Sequence, residues 1–262
     1  MKIHLLRHAT LVVTLGDLTL LVDPMLSPAQ AMEPVAHAGN QWRIPMVGLP
    51  LSPGKLQVLL EHIDAVLVTH THPDHWDAAA QTLLPKQIPI LCQPEDQGMI
   101  EQAGFSSVLP VQQRKEWQGL QLFRTEGQHG HGDLGKKMGP VSGYVLTEGK
   151  APALYIAGDT VWCPEIKQVL EQFSPEVVVL NAGAATFATG GGPITMNEED
   201  VCQVCQTIPQ AQVIAVHMDV VNHCRLTRAD LRRSIATQGL EKQVLIPNDG
   251  EVLTFSPESR NK

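Results

Sequence analysis

Residues 64–77 read DAVLVTHTHPDHWD, and the fold to expect depends on how this stretch is read. The apolar run within Asp64–Thr69 is the pattern of a strand buried on both faces. His70 and His72 follow two residues apart, so an extended backbone turns both imidazoles to the same side. Pro73 then forces a turn, which lets Asp74 and His75 point in other directions. Three imidazoles and a carboxylate within six residues match the donor preferences of Zn²⁺, Fe²⁺ or Mn²⁺. A solvated polar loop is the plainer reading. Three of the chain's eleven histidines gathered at the end of a buried strand favour a metal site instead.

Upstream, Lys2–Leu6, Leu11–Leu15 and Leu18–Val22 read as short strands, with Gly16-Asp17 as a two-residue hairpin turn. Asp23-Pro24 ends the third strand. The Pro24–Pro53 stretch carries six prolines and is expected to form a long lip near the site. Ser52-Pro53 starts a helix running to about His62. Downstream, the pattern predicts a helix over Ala78–Leu84, a strand over Ile88–Cys92, a helix over Glu95–Ala103 and a strand over Lys115–Arg124. A glycine-rich segment, Gly127–Gly139, leads to strands Ser142–Thr147 and Leu154–Ala157. Helices Glu165–Phe173, Glu198–Thr207 and Arg228–Thr237 then alternate with strands Glu176–Leu180, Gln212–Val216 and Val244–Ile246. Thr227 and Asp230 have the spacing of a capping box, and Val252–Phe255 is a last strand. No linker separates the antiparallel opening from the later strand–helix units. The expectation is a single layered α/β domain over residues 1–262.

The cluster His70-x-His72-x-Asp74-His75 resembles the signature of the metallo-β-lactamase fold superfamily. Later segments resemble its remaining motifs in order: Gly127-Gln128-His129-Gly130, Ala157-Gly158-Asp159-Thr160 and Ala215-Val216-His217. The opening Arg7-His8-Ala9-Thr10 and Leu21-Val22-Asp23-Pro24 look like the N-terminal strands of the broad branch that includes ascorbate-6-phosphate lactonase. The resemblance implies a four-layer αββα sandwich of two mixed sheets flanked by helices. It also implies two divalent metal ions, Zn²⁺ first, with Mn²⁺ and Fe²⁺ as alternatives. His70, His72 and His129 would hold one ion; Asp74, His75 and His217 the other; Asp159 would bridge them. One carboxylate has two oxygens and can span ions about 3.5–4 Å apart. The implied activity is a metal-dependent hydrolase that turns a metal-bound hydroxide on a small ester, lactone or phosphodiester. Asp74 and His223 are the candidate catalytic residues.

Several residues keep two readings at this stage. His131 competes with His129 for the third-histidine role, although only His129 has the glycine-flanked context. Asp23 either orients a ligating histidine or forms an Asp-Pro turn, and His8 is either structural or lines the site. Cys202-x-x-Cys205 falls in an expected helix without a second pair, so it carries little weight as a metal site. Alternatives to the hydrolase are a mononuclear iron oxygenase on the same scaffold and a nucleic-acid-processing hydrolase. The formal charge of −8 argues against the latter. The expected partner is a small molecule, with an anionic one bound by Arg43, Lys136 and Lys137 as an option. Five scattered cysteines, no signal peptide and no long apolar run point to a cytoplasmic protein without a membrane span. A homo-oligomer remains open.

Overall fold

The computed structural model describes residues 1–256. Strands β1 (Lys2–Arg7), β2 (Thr10–Leu15) and β3 (Leu18–Val22) form an antiparallel meander, and the β2–β3 turn falls at Gly16-Asp17. The Pro24–Pro53 segment follows, and then α1 (Pro53–Leu60), whose Ser52 cap accepts the Lys55 N–H. From there strands and helices alternate: β4 (Ala65–Val68), α2 (Ala78–Leu83), β5 (Ile90–Cys92), α3 (Gln97–Gln102) and β6 (Val108–Pro110). β3 to β6 pair in parallel, as strand–helix–strand crossovers require.

The second half begins with β7 (Arg114–Trp117), β8 (Leu120–Glu126), α4 (Gly132–Met138), β9 (Ser142–Thr147) and β10 (Leu154–Ile156). It continues through α5 (Pro164–Phe173), β11 (Val177–Asn181), α6 (Glu198–Thr207), β12 (Gln212–Val216), α7 (Arg228–Thr237), β13 (Val244–Leu245) and β14 (Val252–Thr254). Among the described residues the strands make two seven-stranded mixed sheets, ordered β14-β1-β2-β3-β4-β5-β6 and β13-β12-β11-β10-β9-β8-β7.

Strand alternation divides the apolar side chains into layers. Ala65 and Leu67 of β4 face Val177 and Val179 of β11 in a core shared by the two sheets. Their neighbours Val66 and Val68 turn outward to Leu56, Leu60, Ala80 and Ile100 of α1–α3. Val178 and Leu180 turn outward to Ile166, Leu170, Val201 and Leu231 of α5–α7. Each of the buried Val, Leu and Ile side chains contributes about 1.5–3 kcal/mol on leaving water. Helix, sheet, sheet, helix is the resulting order, the expected αββα sandwich.

The structure departs from the sequence reading in four places. Lys115–Arg124 is not one strand but the β7–β8 hairpin, turned at Gln118 and Gly119 with φ of 49° and 85°. The Gly127–Gly139 segment contains α4, and the short edge strand β6 was not expected. The expected helix Glu95–Ala103 begins as a 3-10 turn over Pro94–Asp96. Among the described residues no helix is long and apolar enough to cross a membrane.

Candidate metal centre

The side chains of the centre sit just beyond the C-terminal ends of strands. His8 follows β1, Asp23 follows β3, His70 to His75 follow β4, His129 follows β8, Asp159 follows β10 and His217 follows β12. The β4 loop is fixed at both ends. Backbone N–H groups of His75 and Trp76 donate to the His72 carbonyl, which closes the turn at Pro73. At its far end Asp77 caps α2 through Ala80 N–H and also accepts Ser27 N–H, each at 2.7 Å. The neighbouring Arg7 is wholly buried and donates to the carbonyls of Met25, Ser27 and Val47, which ties the Pro24–Pro53 segment down. His8, Asp23 and His217 all have positive φ (60°, 44° and 70°), a conformation that non-glycine residues hold only when their surroundings impose it.

Two overlapping groups of donor atoms result. His70 Nε2 and His72 Nδ1 are 3.0 Å apart, and His129 Nε2 is 3.3 Å from His72 Nδ1. Beside them, His75 Nε2 and His217 Nε2 are 3.3 Å apart, and Asp74 Oδ2 is 3.6 Å from His217 and 3.8 Å from His75. Asp159 lies between the groups, with Oδ2 3.3 Å from His75 and 3.6 Å from His129, and Oδ1 3.3 Å from His217. Two donors bound at 2.0–2.1 Å to one tetrahedral ion are about 3.3 Å apart, so these separations suit divalent cations. The cluster is able to hold metal. His8 Nε2 is a fourth donor atom in the second group, 3.3 Å from Asp74 Oδ2.

Behind these donors, a further set of groups fixes the imidazole tautomers. His75 Nδ1–H donates to Asp23 Oδ2 at 2.9 Å, and His129 Nδ1–H donates to the Ile194 carbonyl at 2.7 Å. Both acceptors lack a proton to offer, so each ring keeps its Nε2 lone pair for the centre. Asp23 also accepts Thr69 N–H and the Thr69 hydroxyl, and that hydroxyl lies 3.1 Å from His70 Nδ1. Asn181 donates to Asp159 Oδ1 at 2.6 Å, and the Cys224 sulfur lies 3.5 Å from His217 Nδ1.

The electrostatics of the protein alone are those of paired opposite charges in a dry site. Burial works against ionised Asp159, but His217 and His75 outweigh it and hold the carboxyl well below its usual range. Asp74 behaves likewise, with burial opposed first by His75. Burial lowers His75, yet Asp159, Asp74 and Asp23 push it up to about 10. His217 is also raised, by Asp159 against burial. His70 and His129, further from the carboxylates, are lowered chiefly by burial. Burial brings His223 down to about 4.

A cavity of about 470 Å³ opens onto the cluster. His72, Asp74, His129, Asp159 and His223 line it on the polar side, and Met32, Val35, Ile44, Met138 and Phe187 on the apolar side. The Pro24–Pro53 segment and α4 therefore both border the site. His223 stacks on Phe187 with ring centroids 5.8 Å apart, and its buried Nδ1 has no hydrogen-bond partner. His131 is exposed at the start of α4, outside the donor groups.

The cations read as possible anion contacts are not among the residues lining the cavity, although Glu33, the partner of Arg43, is. Arg43 pairs with Glu33 and donates to the Gln30 and Ala31 carbonyls, exposed Lys136 pairs with Asp133, and Lys137 is exposed; none lines the cavity. A larger apolar groove of about 1170 Å³, between α1, α2 and the Pro24–Pro53 segment, contains none of the cluster.

Residues 19–218 match the model of the beta-lactamase superfamily domain. The chain is 36% identical to the UPF0173 protein YddR of Bacillus subtilis (strain 168), over 97% of this chain and all of that one. Among solved structures it resembles the isothiocyanate hydrolase from Delia radicum gut bacteria, with 39% identity, a TM-score of 0.91 and coverage of 97% and 99%. It also resembles a possible metal-dependent hydrolase from Veillonella parvula DSM 2008, with 35% identity, a TM-score of 0.93 and the same coverage.

Proposed function

The chain belongs to the beta-lactamase superfamily domain family as a metal-dependent hydrolase of the metallo-β-lactamase fold, and from that premise we propose a two-metal hydrolase of small, uncharged carbon electrophiles. The observation that carries this reading is the convergence of seven donor residues into two groups joined by Asp159. His70, His72 and His129 would hold one metal and Asp74, His75 and His217 a second, with Asp159 placed to serve both. Divalent ions held there supply Lewis acidity and a hydroxide nucleophile near neutral pH.

The rest of the chemistry falls to the chain's own side chains. The apolar wall of Met32, Val35, Ile44, Met138 and Phe187 receives the substrate's hydrocarbon part and excludes water. His223, neutral at pH 7 and facing the cavity, takes up the proton released by the attacking water and passes it on to the departing oxygen or nitrogen. Asp74 acts through its hold on the second metal and lines the cavity floor. Both sheets feed one shared core, which supports a single domain over the described residues 1–256; the rest of the expected 1–262 span lies outside them.

The wall supports esters and lactones ahead of phosphodiesters, since among the described residues no lysine or arginine lines the cavity. It equally suits an isothiocyanate, the substrate class for which the Delia radicum gut bacterial relative is named. With such a substrate, addition of water to the central carbon followed by C–N cleavage yields an amine and carbonyl sulfide.

The test is a panel of neutral esters, lactones, aryl isothiocyanates and anionic phosphodiesters, assayed on metal-loaded protein. Turnover of neutral carbon substrates, abolished by a chelator and restored by metal, is expected. Turnover confined to phosphodiesters contradicts the reading.

A further inference from the structure

Nearly every proposed ligand has an orienting partner outside the two ligand sets: Thr69 for His70, Asp23 for His75, the Ile194 carbonyl for His129, Asn181 for Asp159 and Cys224 for His217. For Asp74 that partner is His8, whose Nε2 lies 3.3 Å from Oδ2. We propose that His8 is the positioning residue for Asp74, and that its Nε2–H holds Oδ2 in place for the second metal. The proposal rests on the metal-pair reading above and adds a residue to it.

An ionised carboxylate only accepts hydrogen bonds, so the ring nitrogen facing Asp74 must carry the proton. That leaves Nδ1 as a bare acceptor, and Nδ1 is indeed buried without a hydrogen-bond partner. The opposite tautomer would bury an unpaired N–H, which folded proteins tolerate less well. The ring is fixed by more than this bond. It packs against His217 with centroids 3.7 Å apart and ring planes inclined by 36°, and the His8 carbonyl accepts the His217 N–H at 3.1 Å. His8 comes from the turn after β1 in one sheet and His217 from the end of β12 in the other. The positive φ of His8 turns its side chain into the seam between them. The His8 ring is fully buried.

A filler and a donor predict opposite outcomes for two substitutions. His8→Phe keeps a ring against His217 but has no donor; His8→Gln loses the ring but keeps an N–H at comparable reach. Metal binding is titrated calorimetrically with Zn²⁺ into metal-free protein, with circular dichroism confirming the fold. In His8→Phe the second equivalent is expected to bind about 10–100-fold more weakly with the first unchanged, and in His8→Gln most of that affinity should return. His8→Ala replaces His8→Phe if the latter does not fold. The proposal is overturned if His8→Phe retains parental affinity for both equivalents, or if His8→Gln is as weak as His8→Phe, the outcome of a direct ligand role. A parent protein that takes up no second equivalent contradicts the metal-pair reading itself, before any variant is made, and the His8 role with it.

Discussion

His129 and His131 are two residues apart in the sequence but have different surroundings. His129 is buried, its Nδ1–H is taken by the Ile194 carbonyl, and its Nε2 faces His72 and Asp159. His131 is exposed at the start of α4. Gly130, with φ of 102°, makes the turn that separates them, and a Cβ there would come within 2.9 Å of Ile194 Cγ2. His129→Ala should therefore lower metal content and hydrolysis together, while His131→Ala keeps the metal and alters at most substrate affinity. Elemental analysis of the two purified variants checks this; the reverse pattern would exchange their roles. The candidate ligands were legible because four of them fall within six residues after one buried strand, with the others in short motifs at strand ends. The part of His8 was not, and that of Asp23 was only one of two readings, the one the His75 contact agrees with. Their partners Asp74 and His75 are 66 and 52 positions away in sequence, and no local pattern announces such contacts.

Helix α4 shows how an element can escape a sequence reading. Gly132 and Gly135 give Gly132–Met138 poor helix propensity, and each glycine is expected to cost about 1 kcal/mol relative to alanine. The structure explains Gly135: a Cβ there would lie 2.3 Å from the Gly130 carbonyl oxygen, so close approach outweighs propensity. Met138 at the end of the helix lines the cavity. Gly135→Ala must push α4 away from the His129 loop, at a cost of about 1–3 kcal/mol. The expected result is a lower Tm and a several-fold loss in kcat/KM, most of the metal being retained. Unchanged kinetics would show that α4 does not shape the cavity. The β7–β8 hairpin escaped for a related reason. Its turn residues Gln118-Gly119 lack the Asn-Gly or Asp-Gly pair that marks two-residue hairpins. By contrast, the strands of the shared core were read closely, because their unbroken apolar runs leave little else they could be.

Across the whole molecule, two seven-stranded sheets share a core and bring their strand ends to one seam. The first sheet supplies His8, Asp23 and the His70–His75 loop; the second supplies His129, Asp159 and His217. Neither sheet alone holds a complete metal position, because each proposed ligand set takes residues from both. The most direct test is a crystal structure of the metal-loaded protein with anomalous scattering measured at the metal edge. The account predicts two peaks about 3.5–4 Å apart, one among His70, His72 and His129, the other among Asp74, His75 and His217, with Asp159 touching both. A single peak, or peaks away from these residues, would contradict it.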